Sequence, residues 1–258
     1  MRTVRSYPKL VNELINLQIP FRVEIAGYVS YEQEVYPILA LKHVSKVASK
    51  QVVIVSGIHG NESFAVSTLL TWVKQFNPDL LKTCSVHIYP VCNPYGYSKN
   101  SRKNGFRQMV NNYKKFCKGS DVPELAILFD QIPSNPDLYL DIHGDTGKKH
   151  VYAYERVSMD KQSVIRPALI ENDSLLPYDR SQTIYKCKVQ DGVISTPDQD
   201  VGIEGFLESM GTTHTVTLEL PGIFPGQARV AGGVAIINSI LKNFVGVQNE
   251  LKGPETIK

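Results

Sequence analysis

Several features are scarce in this 258-residue chain, and each scarcity removes a class of protein. Cysteine is limited to Cys84, Cys92, Cys117 and Cys187. No two of them stand in a CxxC spacing, which argues against a thiolate zinc site or a thioredoxin-like centre. A chain of this length buries enough surface to fold without disulfide staples, so the four are read as free thiols. Charge of one sign is also lacking. Lys and Arg number 28 against 25 Asp and Glu, a net charge of +3, with no long basic run, so no nucleic-acid partner is expected. No apolar stretch approaches the roughly 18 residues of a membrane span, and no apolar core of a signal peptide follows the two early arginines. The expectation is therefore a protein with no membrane partner, placed in the cytoplasm. Internal repeats, low-complexity tracts and interdomain linkers are missing too. One domain over residues 1–258 is expected, with its oligomeric state left open.

What is present is an alternation of strand and helix patterns. Residues 7–18 carry Leu10, Val11, Leu14 and Ile15 at helical spacing. FRVEIAGYVS and YPILALKHV read as strands. QVVIVSG reads as a buried strand ended by Gly57, and residues 63–76 as a helix. SVHIYPV is a further strand, followed by a polar loop from Asn93 to about Asn112 and a helix near Pro123–Gln131. DLYLDIHG and TVTLELPG are strands, and GGVAIINSILKNFVG is a closing helix stopped at Gly246. Residues 172–205 lack periodicity and read as long, binding-type loops. The fold class implied is α/β: a three-layer α/β/α sandwich around a mixed, mostly parallel twisted sheet.

Two motifs carry metal chemistry. IVSGIHGNES puts His59 and Glu62 three residues apart, after a strand and at a helix start, where i and i+3 side chains can face one point. LYLDIHGD ends a second strand on His143. Two imidazoles and one carboxylate make a three-ligand zinc site with one position left for water. One zinc ion is the expected cofactor. Asp141 lies two residues before His143 on the same strand face and is placed to orient its imidazole. The other histidines, His43, His87, His150 and His214, have weaker contexts and read as packing or surface residues.

Along THTVTLELPG, Val216, Leu218 and Leu220 point one way, while Thr215, Thr217 and Glu219 point the other. A glutamate ending so apolar a strand suits a general base beside a metal. The polar loop NPYGYSKNSRKNG contributes Arg102, suited to steadying a developing oxyanion, and Asn104 as a candidate substrate contact.

GIHGNES, CNPYGY, the RKN of residues 102–104, DIHGD and TLELPG, in that order, resemble the zinc carboxypeptidase superfamily. That group comprises carboxypeptidase A-like enzymes with their aspartoacylase and succinylglutamate desuccinylase relatives. The resemblance runs from about residue 50 to residue 245. It implies His59, Glu62 and His143 as zinc ligands, Glu219 as the catalytic glutamate and Arg102 as the arginine that polarises the scissile carbonyl. It also implies a sheet of about eight strands. One departure stands out. Where the family carries an Asn-Arg pair that grips the substrate carboxylate, this chain has NNYKKF, with Lys114 at the arginine's place. Lysine offers a point charge and no bidentate fork. Arg107 and Asn112 are alternative carriers of that role, and Tyr178 and Tyr185 lie in the region of the tyrosine that many such enzymes close over substrate. The expected activity is metal-assisted amide hydrolysis, of peptides as a metallocarboxypeptidase or of small N-acyl amino acids as a deacylase. A non-catalytic metal-binding protein on the same fold is the third reading.

Overall fold

In a computed structural model, which describes residues 5–195 and 202–246, ten strands and seven α-helices are laid out along the chain. Eight strands form one sheet in the order β1-β2-β4-β3-β5-β10-β6-β9. The ribbon β1 (Arg22–Tyr31) and β2 (Glu34–His43) is antiparallel and edges the sheet. The central strands β4 (Cys84–Tyr89), β3 (Lys50–Ser56), β5 (Leu138–Asp145) and β10 (His214–Pro221) are parallel neighbours. β6 (Tyr152–Val157) runs antiparallel to β10, and β9 (Val193–Ser195) pairs parallel with β6. The expected mixed sheet of eight strands is what the chain forms.

The strands are apolar on both faces because helices cover both. Val52 and Ile54 of β3 and Val216, Leu218 and Leu220 of β10 enter one buried cluster. Against them lie α2 (Ser63–Lys74), α5 (Ile165–Glu171) and α7 (Gly226–Gly246), through Leu69, Trp72, Ala168, Ile236 and Ile237. Val53 and Val55 point the other way, into a cluster with α4 (Pro123–Gln131) and α6 (Ile203–Ser209), through Leu125, Leu128, Ile203 and Leu207. The helix α1 (Tyr7–Ile15) packs at the β1–β2 end with α3 (Pro94–Lys99).

Two stretches differ from the sequence reading. Residues 172–205 hold more than loops: a two-stranded ribbon of β7 (Thr183–Ile184) and β8 (Cys187–Lys188), then β9 and the start of α6. Each piece is seven residues or fewer, too short to show periodicity, and residues 196–201 of that stretch lie outside the described residues. β6 was not expected either, because its buried face carries Glu155 between Ala153 and Val157. That carboxylate is satisfied by the backbone N–H groups of Val164 and Ile165, at 3.0 and 3.4 Å. All four cysteines are free. No helix among the described residues is long and apolar enough to cross a membrane.

Candidate metal centre and its cavity

The connection from β3 leads through α2 to β4 on one side, and the chain then returns to β5 on the other side of β3. Such a reversal of strand order opens a crevice at the carboxyl ends of the strands. His59, Glu62, His143 and Glu219 all lie there. The turn after β3 is made by Gly57 at φ +64°, where a Cβ would also stand 3.2 Å from the Val91 backbone. At Gly60 a side chain is impossible: its Cβ would fall 1.9 Å from the backbone carbon of Gly96. This packing fixes the His59–Glu62 turn against α3.

The three expected ligands come together. His59 Nδ1 is 2.8 Å from Glu62 Oε1, and His143 Nδ1 is 3.1 Å from both Glu62 Oε2 and His59 Nδ1. All three residues are buried. Outer contacts hold His143 and Glu62, whereas His59 Nε2 has no hydrogen-bond partner among the described residues. Asp141 Oδ2 is 3.0 Å from His143 Nε2, and the Gly144 N–H donates to Glu62 Oε2 at 3.0 Å. Burial alone raises the pKa of Glu62, but hydrogen bonds from His143 and His59 outweigh it and push the carboxyl well below its usual range. Burial lowers that of His143, but Asp141 and Glu62 reverse the balance and raise it well above the ordinary histidine value. These converging lone pairs can hold a cation at their centre. Ligand atoms sharing one tetrahedral zinc ion stand about 3.3 Å apart, close to the spacing of this set. Among the described residues this is the group whose ligand atoms lie within 4.8 Å of one another, so the donors fit a zinc ion.

Glu219 sits beside His143 in the β10–β5 register and faces the same cleft. Burial lifts its pKa to about 7, with Glu62, Asp145 and Asp141 adding and His143 opposing. Arg102 reaches in from the loop after α3, and its Nη1 donates to Glu62 Oε1 at 2.9 Å.

The cavity at the cluster has a volume of about 530 Å³. From His143 and Glu219 it descends along the sheet face past Thr217 and Tyr154 to Thr215 and Arg156, under Glu204 of α6. A second hollow of about 260 Å³ opens on the other side of Glu219, between Asn61, Asp145 and Tyr152. Tyr185, at the tip of the β7–β8 ribbon, lines both, and its hydroxyl donates to Asp145 Oδ2 at 2.5 Å. Tyr178 is elsewhere, bridged to Val151 with Arg180 stacked on its ring.

The three expected substrate contacts do not reach the cavity. Asn104 is buried, and its amide is spent on the loop itself. Its Nδ2 donates to Glu124 Oε2 at 2.9 Å, and its Oδ1 accepts from the N–H groups of Phe106 and Gln108. Arg107 is exposed with φ +60°, a turn position, and Lys114 is exposed on a short 3-10 turn. Instead the cavity is lined by Asn111, Tyr154, Arg156, Glu204, Thr215 and Thr217. Of these, Thr215 and Thr217 were legible, since they alternate in step with Glu219. Arg156 and Glu204 sit on β6 and α6, elements the sequence pattern concealed.

Fold and ligand cluster together define an α/β domain that carries a candidate zinc site at the carboxyl ends of its central strands. The chain belongs to the zinc carboxypeptidase family, whose model matches residues 13–147, just over half of it. Glu219 lies beyond the matched residues. No curated protein matches the sequence. Among solved structures, a candidate metallopeptidase from Shewanella amazonensis is 23% identical with a TM-score of 0.76, over 92% of this chain and 91% of that one. A metallo-carboxypeptidase from Burkholderia cenocepacia is 20% identical with a TM-score of 0.65, over 93% and 68%. A succinylglutamate desuccinylase from Silicibacter sp. TM1040 is 16% identical with a TM-score of 0.61, over 89% and 69%. At these identities the likeness is one of fold.

Proposed function

We propose that this chain is a zinc-dependent amide hydrolase of the metallocarboxypeptidase kind, acting on peptides. The observation that carries this reading is Glu219. It is a desolvated carboxylate placed beside His143 in register, at the mouth of a cavity large enough for an amino-acid residue. His59, Glu62 and His143 are the residues to hold zinc, which when bound supplies a Lewis acid that acidifies water and polarises a carbonyl. Glu219 takes the proton of the attacking water and passes it to the leaving nitrogen. Its elevated pKa suits both duties, because a base poised near neutrality can also act as an acid. Arg102, about half exposed, turns its guanidinium toward the cleft and steadies the negative charge that grows on the carbonyl oxygen. Asp141 keeps the Nδ1 lone pair of His143 aimed inward.

Glu219→Gln tests the assignment. Zinc content by metal analysis is expected to stay at one ion per chain while kcat falls by about 10²–10⁴-fold. Retention of turnover would remove Glu219 from the role. A second reading, deacylation of N-acyl amino acids, draws on one specific observation: Lys114 and Arg107, the residues expected to grip a terminal carboxylate, do not line the cavity. Comparing release of a C-terminal residue with cleavage of an N-acyl amino acid separates the two.

A further inference from the structure

Arg102 enters the cleft from a loop whose hold on the rest of the molecule lies outside the cleft. Upstream, the Ser101 N–H donates to the Gly96 carbonyl of α3 at 2.8 Å. The Ser101 hydroxyl then braces Lys103, at 3.2 Å from its N–H and 3.0 Å from its carbonyl. Downstream, Asn104 is 2% exposed, and its Nδ2 donates to Glu124 Oε2 at 2.9 Å. The other oxygen of Glu124 accepts from the Tyr31 hydroxyl at 2.8 Å. Glu124 is fully buried in the first turn of α4, while Tyr31 ends β1, the edge strand of the sheet. The next loop residue, Gly105, is pressed against the Tyr31 ring, where a Cβ would fall 2.2 Å from it. Phe106 meets the same ring edge-on, with centroids 4.9 Å apart. Burial raises the pKa of Glu124, against the hydrogen bonds from Asn104 and Tyr31. Keeping a carboxyl there is costly, and an apolar side chain would fill the space at less cost. Packing alone therefore does not account for the glutamate. What it adds is one acceptor for each of two donors, and one of those donors belongs to the loop.

We infer that Glu124, Asn104 and Tyr31 form an anchor that positions Arg102. The arginine stands two residues before Asn104, on the short span braced by Ser101. Its Nη1 reaches Glu62 Oε1 at 2.9 Å although about half of the side chain is exposed. A long side chain with that much freedom keeps one direction only if the backbone beneath it is fixed. The three anchor residues are positioning residues: they act on the cleft through Arg102 and make no contact with the metal cluster themselves. By this route the edge strand β1 and the helix α4 take part in a site built on the central strands. The inference rests on the hydrolase reading for the catalytic duty of Arg102, while the anchoring is a property of the loop.

A double-mutant cycle tests the anchor. Asn104→Ala is expected to lower kcat/KM by about tenfold, with zinc content unchanged, because a small misplacement of a catalytic group is enough for such a loss. In an Arg102→Ala background, already down by about 10²-fold, the same substitution is expected to add less than about twofold. A role felt only through stability or zinc binding would multiply the two losses. Glu124→Met keeps the side chain's length, removes both acceptors and is expected to match Asn104→Ala. Glu124→Gln is expected to stay within about threefold of wild type, since an amide can accept from Asn104 and donate to the Tyr31 oxygen. Should Asn104→Ala not fold, the Glu124 pair carries the cycle in the same two backgrounds. Multiplied losses, or a Glu124→Gln as damaging as Glu124→Met, would overturn the inference. Failure of the hydrolase reading gives a different result: the wild type cleaves neither peptides nor N-acyl amino acids. The anchor is then read from the reaction of Arg102 with phenylglyoxal, followed by peptide mass mapping. That reaction is expected to run several-fold faster in Asn104→Ala, while Arg229, whose Nη1 is held by the Pro221 and Gly222 carbonyls, keeps its rate. An unchanged rate at Arg102, or an equal rise at both arginines, would leave no anchor.

Discussion

The two faces of β10 are built from the same eight residues and serve opposite ends. On one face Val216, Leu218 and Leu220 are fully buried against α2, α5 and α7. Their work is done once water is excluded, and any apolar group of similar shape would serve. On the other face Thr215, Thr217 and Glu219 look into the cavity with two hydroxyls unpartnered and a carboxylate held near neutrality. That face costs stability on its own and is repaid only when a cation or a ligand arrives. A single strand thus divides folding from chemistry at a period of two residues, and a substitution on either face should affect one property and spare the other.

The largest test of this division is Leu218→Ala. Removing a fully buried leucine is expected to cost about 2–5 kcal/mol of stability, read by chemical denaturation. Zinc stoichiometry and kcat of the protein that remains folded should stay near wild type. The counterpart, Glu219→Gln, should leave denaturation of the zinc-loaded protein nearly unchanged while abolishing turnover. If Leu218→Ala lowers kcat as much as Glu219→Gln does, the two faces are coupled and the division fails.

A smaller effect is expected at Arg102, which enters from a loop and belongs to neither face. Arg102→Ala should lower kcat/KM by about 10²-fold, the usual loss when one donor to a developing oxyanion is removed. Its side chain is half exposed, so stability should barely move. An unchanged kcat/KM would leave Arg102 as a mere partner of Glu62.

The same division explains what could be read from the sequence. His59, Glu62, His143 and Glu219 were legible because each follows an apolar strand whose pattern is unmistakable, and glycines mark the turns beside them. The central strands were legible for the same reason. Asn104 misled because its neighbour Arg102 does face the cleft. An asparagine side chain that accepts from backbone N–H groups two and four residues on is making a turn, and sequence alone does not tell a turn-forming amide from a ligand-binding one. Lys114 stands at the arginine's place in the motif, but the loop geometry puts it on the surface. Arg156 and Glu204 went unseen because β6 hides a buried glutamate among its apolar positions, and α6 is only seven residues long with Gly205 inside it.

The smallest expected effect isolates the cost of the chemical face. Glu219 has an ordinary pKa of 4.5 and a folded-state value of about 7 in the metal-free protein, raised chiefly by burial. Between those two values the folded state binds more protons than the unfolded one, so stability is lost as pH rises through that window. Metal-stripped protein should therefore denature more easily at pH 8 than at pH 5. Part of that slope belongs to His143, whose raised pKa acts in the same direction. The contribution of Glu219 is the difference between wild type and Glu219→Gln, which has no proton to lose and should show the shallower slope. Zinc should shrink the difference, since a cation beside Glu219 favours its ionised form. Parallel slopes in the metal-free pair would mean that Glu219 is solvated in the folded protein, and the strained carboxylate on which the division of β10 depends would not exist.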